Sequence, residues 1–162
     1  MDQTHEIERR WLLKKIPKNI NLDEYKSKLI NQWYITKTPV LRLRSEDSIE
    51  FTLTIKTRSK SVNKKDLGVP EFNIKLSAEE FYNVLPRVTT KAIVKRRHYI
   101  PLPDRMTAEL DIFLGDHKGL IIVEVEFHSE VEAKNFIPPT WFGKKEITGN
   151  REYSNTNLAI DI

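Results

Sequence analysis

The sequence predicts an α+β protein, mainly antiparallel β, with about eight strands closed around a charged interior and a few helices packed outside. Three observations predict it. Short runs of strict alternation recur along the chain, and alternate side chains on a strand share a face. On most of these runs one face is apolar and the other charged. The charged faces carry like-signed pairs: Glu6 with Glu8, Arg42 with Arg44, Lys95 with Arg97, Glu109 with Asp111, and Glu124 with Glu126. Any single strand could turn such a face to water. Repeated like charges on one face repel unless something of opposite sign lies between them. A closed barrel with a charged lumen resolves the conflict and needs apolar cover outside.

Taken in order, residues 5–14 read as the first strand, with Glu6, Glu8 and Arg10 on one face. Asn21 with Glu24 makes a capping box, and Leu22, Tyr25, Leu29 and Ile30 follow at helical spacing, which predicts a helix. Residues 32–35 read as a short strand. Residues 40–44 alternate, with Arg42 and Arg44 opposite Leu41 and Leu43. Residues 49–57 place Ile49, Phe51, Leu53 and Ile55 opposite Glu50, Thr52, Thr54 and Lys56. Residues 58–68 are polar and basic, hence a loop. Their Lys60, Lys64 and Lys65 read as a solvated charge run or as a lid that gathers phosphate.

Residues 69–76 put Phe72, Ile74 and Leu76 opposite Glu71, Asn73 and Lys75. Ser77 and Glu80 form a capping box for a helix to about residue 85, where Pro86 ends it. Residues 92–100, 107–113 and 120–127 complete the strands, with a turn at 115–119. Ser129 and Glu132 cap a short helix, and the tail from Pro138 is irregular.

At 162 residues, with 39% hydrophobic and 31% charged residues, the chain suits one domain, 1–162, with its own core. A net charge of +4 points to an anionic partner. The absence of cysteine excludes disulfides and thiolate metal sites. No apolar run could span a bilayer, and the N-terminus lacks a secretory signal, so a cytoplasmic location is expected. His5, His98, His117 and His128 show no metal-ligand spacing. Trp11, Trp33 and Trp141 read as packing residues.

The motifs EIERR, LRLR, TIK, KRR, ELD and EVEF, in this order, resemble the CYTH superfamily, or triphosphate tunnel metalloenzymes. The ending FIPPTWFGKKEITGNREYSNTNLA resembles the C-terminal signature of the bacterial branch. The resemblance spans about residues 5–160. It implies an eight-stranded antiparallel β tunnel in which a triphosphate lies with Mg²⁺ or Mn²⁺. It implies further that Glu6, Glu8, Glu71, Glu124 and Glu126 are metal ligands. Arg10, Arg42, Arg44, Lys56, Lys95 and Arg97 would bind substrate, and Arg10, Lys56, Glu109 and Asp111 would take part in catalysis. The partner is then a small molecule carrying a triphosphate, with no nucleic acid and no membrane; a homodimer stays open.

Three departures from the family pattern stand out. Arg10 replaces the lysine of E-x-E-x-K, keeping the charge but excluding a neutral amine. Asn73 replaces the second acid of an E-x-E strand. The stretch from Trp141 to Thr148 is one residue longer than W-x-G-x-E-[VI]-T and reads as structural. Hydrolysis of inorganic tripolyphosphate leads the functional readings, by water attack on a terminal phosphorus. The alternatives are a nucleotidyl cyclase, a triphosphatase acting on nucleoside, thiamine or RNA 5′ triphosphates, and a non-catalytic triphosphate binder.

Overall fold

The computed structural model describes the backbone of residues 2–57 and 69–162, and the side chains of residues 7–57 and 71–162. The loop and lid readings for 58–68, and the Glu6 side chain, lie outside the described residues. The described chain folds into a mainly antiparallel sheet of eight strands with few helices. The strands are β1 (Asp2–Leu13), β2 (Ser27–Lys37), β3 (Val40–Glu46), β4 (Glu50–Lys56), β5 (Val69–Leu76), β6 (Ile93–Pro101), β7 (Thr107–Leu114) and β8 (Ile121–Phe127). The α-helices are α1 (Ala78–Val84), α2 (Glu130–Asn135) and α3 (Asn155–Leu158).

The strand order is β1-β5-β4-β3-β2-β6-β7-β8, and β1 meets both ends of the sheet. Its residues 2–6 pair with β5, and its residues 7–13 pair with β8. Among the described residues no position of β1 pairs with both β5 and β8, so these two ladders follow one another rather than overlap. Where β5 has left, the tail takes the vacant edge. The Leu12 amide donates to the Lys145 carbonyl at 2.9 Å, and the Ile147 amide to the Arg10 carbonyl at 2.8 Å. Exposed edge donors and acceptors are thereby satisfied.

One expected element is different. Asn21 does cap a turn, accepting from the Asp23 amide, but only a single 3-10 turn forms, Leu22–Glu24. The predicted helix gives way to β2, which absorbs the short strand expected at 32–35 and runs for 11 residues. Partners on both edges decide this: β2 pairs with β3 and with β6. Long-range pairing outweighs a local helical spacing. Ile49, expected on the apolar face of β4, lies before the strand and is 77% exposed.

The outer faces are covered in two places. Leu43, Phe51 and Phe81 pack together with Trp33 and Leu53 under α1, whose capping box between Ser77 and Glu80 forms as predicted. Trp11, Leu13, Leu110, Val123, Val125 and Phe127 pack under Phe136 at the end of α2 and under Trp141 and Phe142 of the tail. Inside, the charged faces of the strands end in an apolar floor. Tyr34, Ile93, Phe113 and Ile122 pack there with Leu12 and Val40 against Ile147, Leu158 and Ala159. No helix among the described residues is long and apolar enough to cross a membrane.

The tail's role as a lid over the outer core is testable. Phe142 is fully buried, with its ring 4.8 Å from Trp11 and 4.5 Å from Trp141. Phe142→Ala is expected to lose about 3–5 kcal/mol in denaturant unfolding. A loss below about 1 kcal/mol would mean the tail adds little to the core.

Candidate active site

The inner faces of the strands set charged side chains directly against one another, in three pairs of opposite sign and two acidic pairs. β1 and β8 set Arg10 opposite Glu124 and Glu8 opposite Glu126. β7 sets Glu109 opposite Glu124, β6 sets Arg97 opposite Asp111, and β4 sets Lys56 opposite Glu71. These register pairs surround a cavity of about 1670 Å³. Its wall includes Glu8, Arg10, Arg42, Arg44, Lys56, Glu71, Arg97, Glu124 and Glu126, nine of the residues singled out in the sequence.

Three others lie behind this wall. Lys95 and Asp111 are fully enclosed and ion-paired to each other. Asp111 also grips Arg97 through two bonds, Nε to Oδ1 and Nη2 to Oδ2, each 2.7 Å. Such a two-point grip fixes the guanidinium plane as well as its position. Arg97 Nη2 donates to Glu124 Oε2 at 2.6 Å, and Nη1 pairs with Glu109. Arg10 reaches the other oxygen of Glu124, Nε to Oε1, at 2.9 Å. Glu124 thus links the two arginines. On the facing wall Glu71 lies 2.5 Å from Lys56 and 3.4 Å from Arg42.

Burial and neighbouring charge pull these groups in different directions. Burial pushes the Glu124 carboxyl up, but Lys95, Arg97, Arg10 and Arg44 together hold it well below the ordinary carboxylate range. Burial lifts Glu109, Arg97 opposes, and the net shift is upward. Burial lowers Lys95 despite Asp111. Burial disfavours the Arg97 charge, yet Asp111, Glu124 and Glu109 hold it well above its ordinary value.

Arg44 is weakly compensated, its nearest carboxylate being Glu46 at 3.8 Å. Burial lowers its pKa to about 10, and Arg42 and Arg97 add to that. The Nε atoms of Arg42 and Arg44 are both buried without a hydrogen-bond partner. A buried unsatisfied donor on a cation is costly, and an anion that each guanidinium turns to meet would relieve it.

The departure at position 73 has a structural reason. The Asn73 amide donates to Glu71 Oε1 at 3.0 Å and its oxygen accepts from Thr54 at 2.7 Å. An acid there would face Glu71 and give up that donor. Gln32 and Tyr34 are inner residues that the motifs do not single out. Gln32 accepts from Arg44 Nη2 at 3.2 Å, and Tyr34 lines the cavity. Their two-residue spacing is the available signal, hidden by the helical spacing of the preceding residues. The tail contributes Arg151 and Asn155 to the same cavity.

Among the described residues no three His, Cys, Asp or Glu side chains are grouped so as to hold a metal by themselves. Glu8 and Glu126 do fit a hard divalent cation. They are directly opposite on β1 and β8, both line the cavity, and like charges so placed favour a cation between them. Mg²⁺ commonly takes one or two carboxylates and completes its shell with phosphate oxygens and water.

The Glu124 network implies a pH dependence. A depressed folded pKa contributes stability that is present above the ordinary value of 4.5 and is lost as pH falls below it. Glu124→Gln should therefore cost about 3–5 kcal/mol at neutral pH, because Arg10 and Arg97 lose a shared buried partner. Denaturant unfolding at pH 7 and at stepped acid pH checks this. The gap between wild type and variant should narrow only below the ordinary carboxylate pKa. A constant gap across that range would contradict the assigned network.

No family model matches the chain. It is 35% identical over 161 residues to an inorganic triphosphatase of Nitrosomonas europaea, covering 97% of this chain and 98% of that protein. A solved inorganic triphosphatase superposes with a TM-score of 0.65 at 33% identity, over 98% of this chain and 97% of the other. An adenylate-cyclase-type protein of Bacillus halodurans superposes with a TM-score of 0.63 over 83% of this chain and 86% of its own. At 20% identity that last likeness shows the fold alone. With a near full-length relative of this identity, and with the charged strand motifs in family order, the chain belongs to the CYTH superfamily of triphosphate tunnel metalloenzymes.

Proposed function

We propose that this protein is a metal-dependent triphosphatase, that its substrate is inorganic tripolyphosphate, and that the rolled sheet acts as a closed tunnel around it. One observation carries the reading: the buried, unpartnered Nε donors of Arg42 and Arg44, within a wall that also holds Arg10, Lys56 and Arg97. A triphosphate carries roughly four negative charges at neutral pH and offers oxygens to all five cations. The near full-length relative named as an inorganic triphosphatase supports the same substrate.

In this reading Arg42, Arg44 and Lys56 hold one end of the phosphate chain, and Arg10 and Arg97 hold the other. Lys95, Asp111 and Glu109 act behind the wall by fixing Arg97. Glu8 and Glu126 would hold Mg²⁺ or Mn²⁺, which would supply Lewis acidity and a more acidic bound water. Glu124 and Glu71 would add their oxygens to that set once their arginine and lysine partners engage phosphate. Water attacks the terminal phosphorus, the P–O–P bond breaks, and the bridging oxygen leaves with pyrophosphate. Charge developing on that oxygen meets guanidinium groups that substrate binding has already engaged, the chief means by which phosphoryl transfer is accelerated. The products are orthophosphate, pyrophosphate and a proton.

The purified protein with tripolyphosphate and Mg²⁺ or Mn²⁺ should release orthophosphate, and chelator should stop it. Glu126→Gln should abolish turnover while the protein remains folded. Full activity in chelator or in that variant would sink the metal assignment. Cyclic nucleotide and pyrophosphate from ATP, without orthophosphate from tripolyphosphate, would favour the cyclase instead.

Arg10 gives a sharper test. As a fixed cation it should tolerate lysine, so Arg10→Lys should keep turnover within about threefold and bind substrate more weakly. A gain in turnover of about tenfold, equivalent to 1.4 kcal/mol of barrier, would show that a neutral amine is the working form.

A further inference from the structure

The longer W-to-T stretch of the tail has no place in the chemistry above, yet the tail bonds Arg10 at three points, one of them the Ile147 amide on the Arg10 carbonyl described above. The Arg10 amide donates to Thr148 Oγ1 at 3.0 Å, and Arg10 Nη2 donates to the Tyr153 carbonyl at 3.1 Å. The Thr148 hydroxyl is oriented in turn, because it donates to Glu146 Oε1 at 2.8 Å. Glu146 is clamped by Arg9 through Nε to Oε1 and Nη2 to Oε2, each 2.8 Å. Arg9 Nη1 also donates to the carbonyls of Ala133 and Phe136, at 2.9 and 3.0 Å.

Neighbouring residues on a strand point to opposite faces. Arg9 therefore lies on the outer face of β1 and Arg10 on the inner. The chain of contacts Arg9–Glu146–Thr148 runs along the outside and ends on the Arg10 backbone. We propose that Thr148 and Glu146 are positioning residues for Arg10: they fix the stretch of β1 that aims its guanidinium into the cavity. The tail replaces a missing neighbour at that point, since β1 has already parted from β5. A cation on an unsupported strand edge would sample several directions, and positioning is what a phosphate-binding cation contributes.

The arginine is itself part of the arrangement. Its Nε is used on Glu124, while Nη2 reaches Tyr153. A lysine ammonium is a point charge on a flexible stem and lacks this fixed fork. The residue that departs from the family pattern is thus the one tied to the tail from both its backbone and its side chain.

This inference rests on the proposed function only for its kinetic arm. The test uses Thr148→Val, Thr148→Ser and Glu146→Gln in the full chain, each alone and combined with Arg10→Ala. Nitrogen NMR of the Arg10 Nε–H, in metal-free protein without substrate, is the first readout. Thr148→Val frees the Arg10 backbone amide, and the loosened strand should speed Nε–H solvent exchange by about tenfold, equivalent to weakening the Glu124 bond by about 1.4 kcal/mol; Thr148→Ser should restore it. Hydrolysis of tripolyphosphate is the second. Thr148→Val should raise KM by about tenfold with kcat little changed, and should add nothing on top of Arg10→Ala. Unchanged Nε–H exchange, or a KM effect that persists without Arg10, would overturn the proposal. If Thr148→Val does not fold, Glu146→Gln takes its place in both measurements, and unchanged exchange there overturns the proposal equally. A wild type inert toward tripolyphosphate would refute the substrate reading, and the exchange data would still decide the positioning role.

Discussion

Everything in this molecule follows from placing charge inside a rolled sheet. Asp111 and Lys95 are fully enclosed, and Arg10, Arg97 and Glu124 are each 7% exposed. Isolated charges at such depth are prohibitively costly, and only dense cross-linking makes them tolerable. The register supplies the links: Arg10 faces Glu124 and Arg97 faces Asp111 directly across their ladders. A slip of one residue would turn every one of these side chains outward. The ion network and the strand register therefore specify each other.

The apolar parts of the chain answer the same constraint. A sheet with a polar interior has its hydrophobic face outside, so cover must come from elsewhere. α1 covers Leu43 and Phe51, and the tail covers Trp11 and Leu110. The tail also supplies part of the inner floor and pairs with the vacant edge of β1. Its irregular path follows from serving an outer core, an inner floor and a strand edge in succession, which no single regular element could do.

Much of this was legible because alternation with charge is an unusual signal. The pairs from Glu8 to Glu126 pointed to one interior through alternation and recurring like-signed charge taken together, and the Ser77–Glu80 capping box placed its helix correctly. What escaped the sequence was non-local. The Leu22–Ile30 spacing suits a helix, and only β3 and β6 on either edge make Ser27–Lys37 a strand. Lys95 and Asp111 carry the same motif grammar as Arg42 and Arg44, yet sit behind the wall rather than in it. Depth along the lumen depends on strand tilt, which a motif does not encode. The tail's contact with Arg10 spans 138 residues of sequence and left no local trace.

The same network bears on selectivity. On the proposed reading, each cation that a ligand engages is drawn from a carboxylate that already holds it. Arg10 and Arg97 share Glu124, and Lys56 and Arg42 share Glu71. A singly charged anion could satisfy one arginine only by leaving a buried carboxylate short of its partner, a loss comparable to the gain. A polyanion engages several cations at once and can bring a divalent metal for the released carboxylates. Arg42 and Arg44 tip the balance, because their idle Nε donors gain a partner without taking one from an acid. On that reading the internal ion pairs favour a ligand that brings several negative charges over one that brings a single charge.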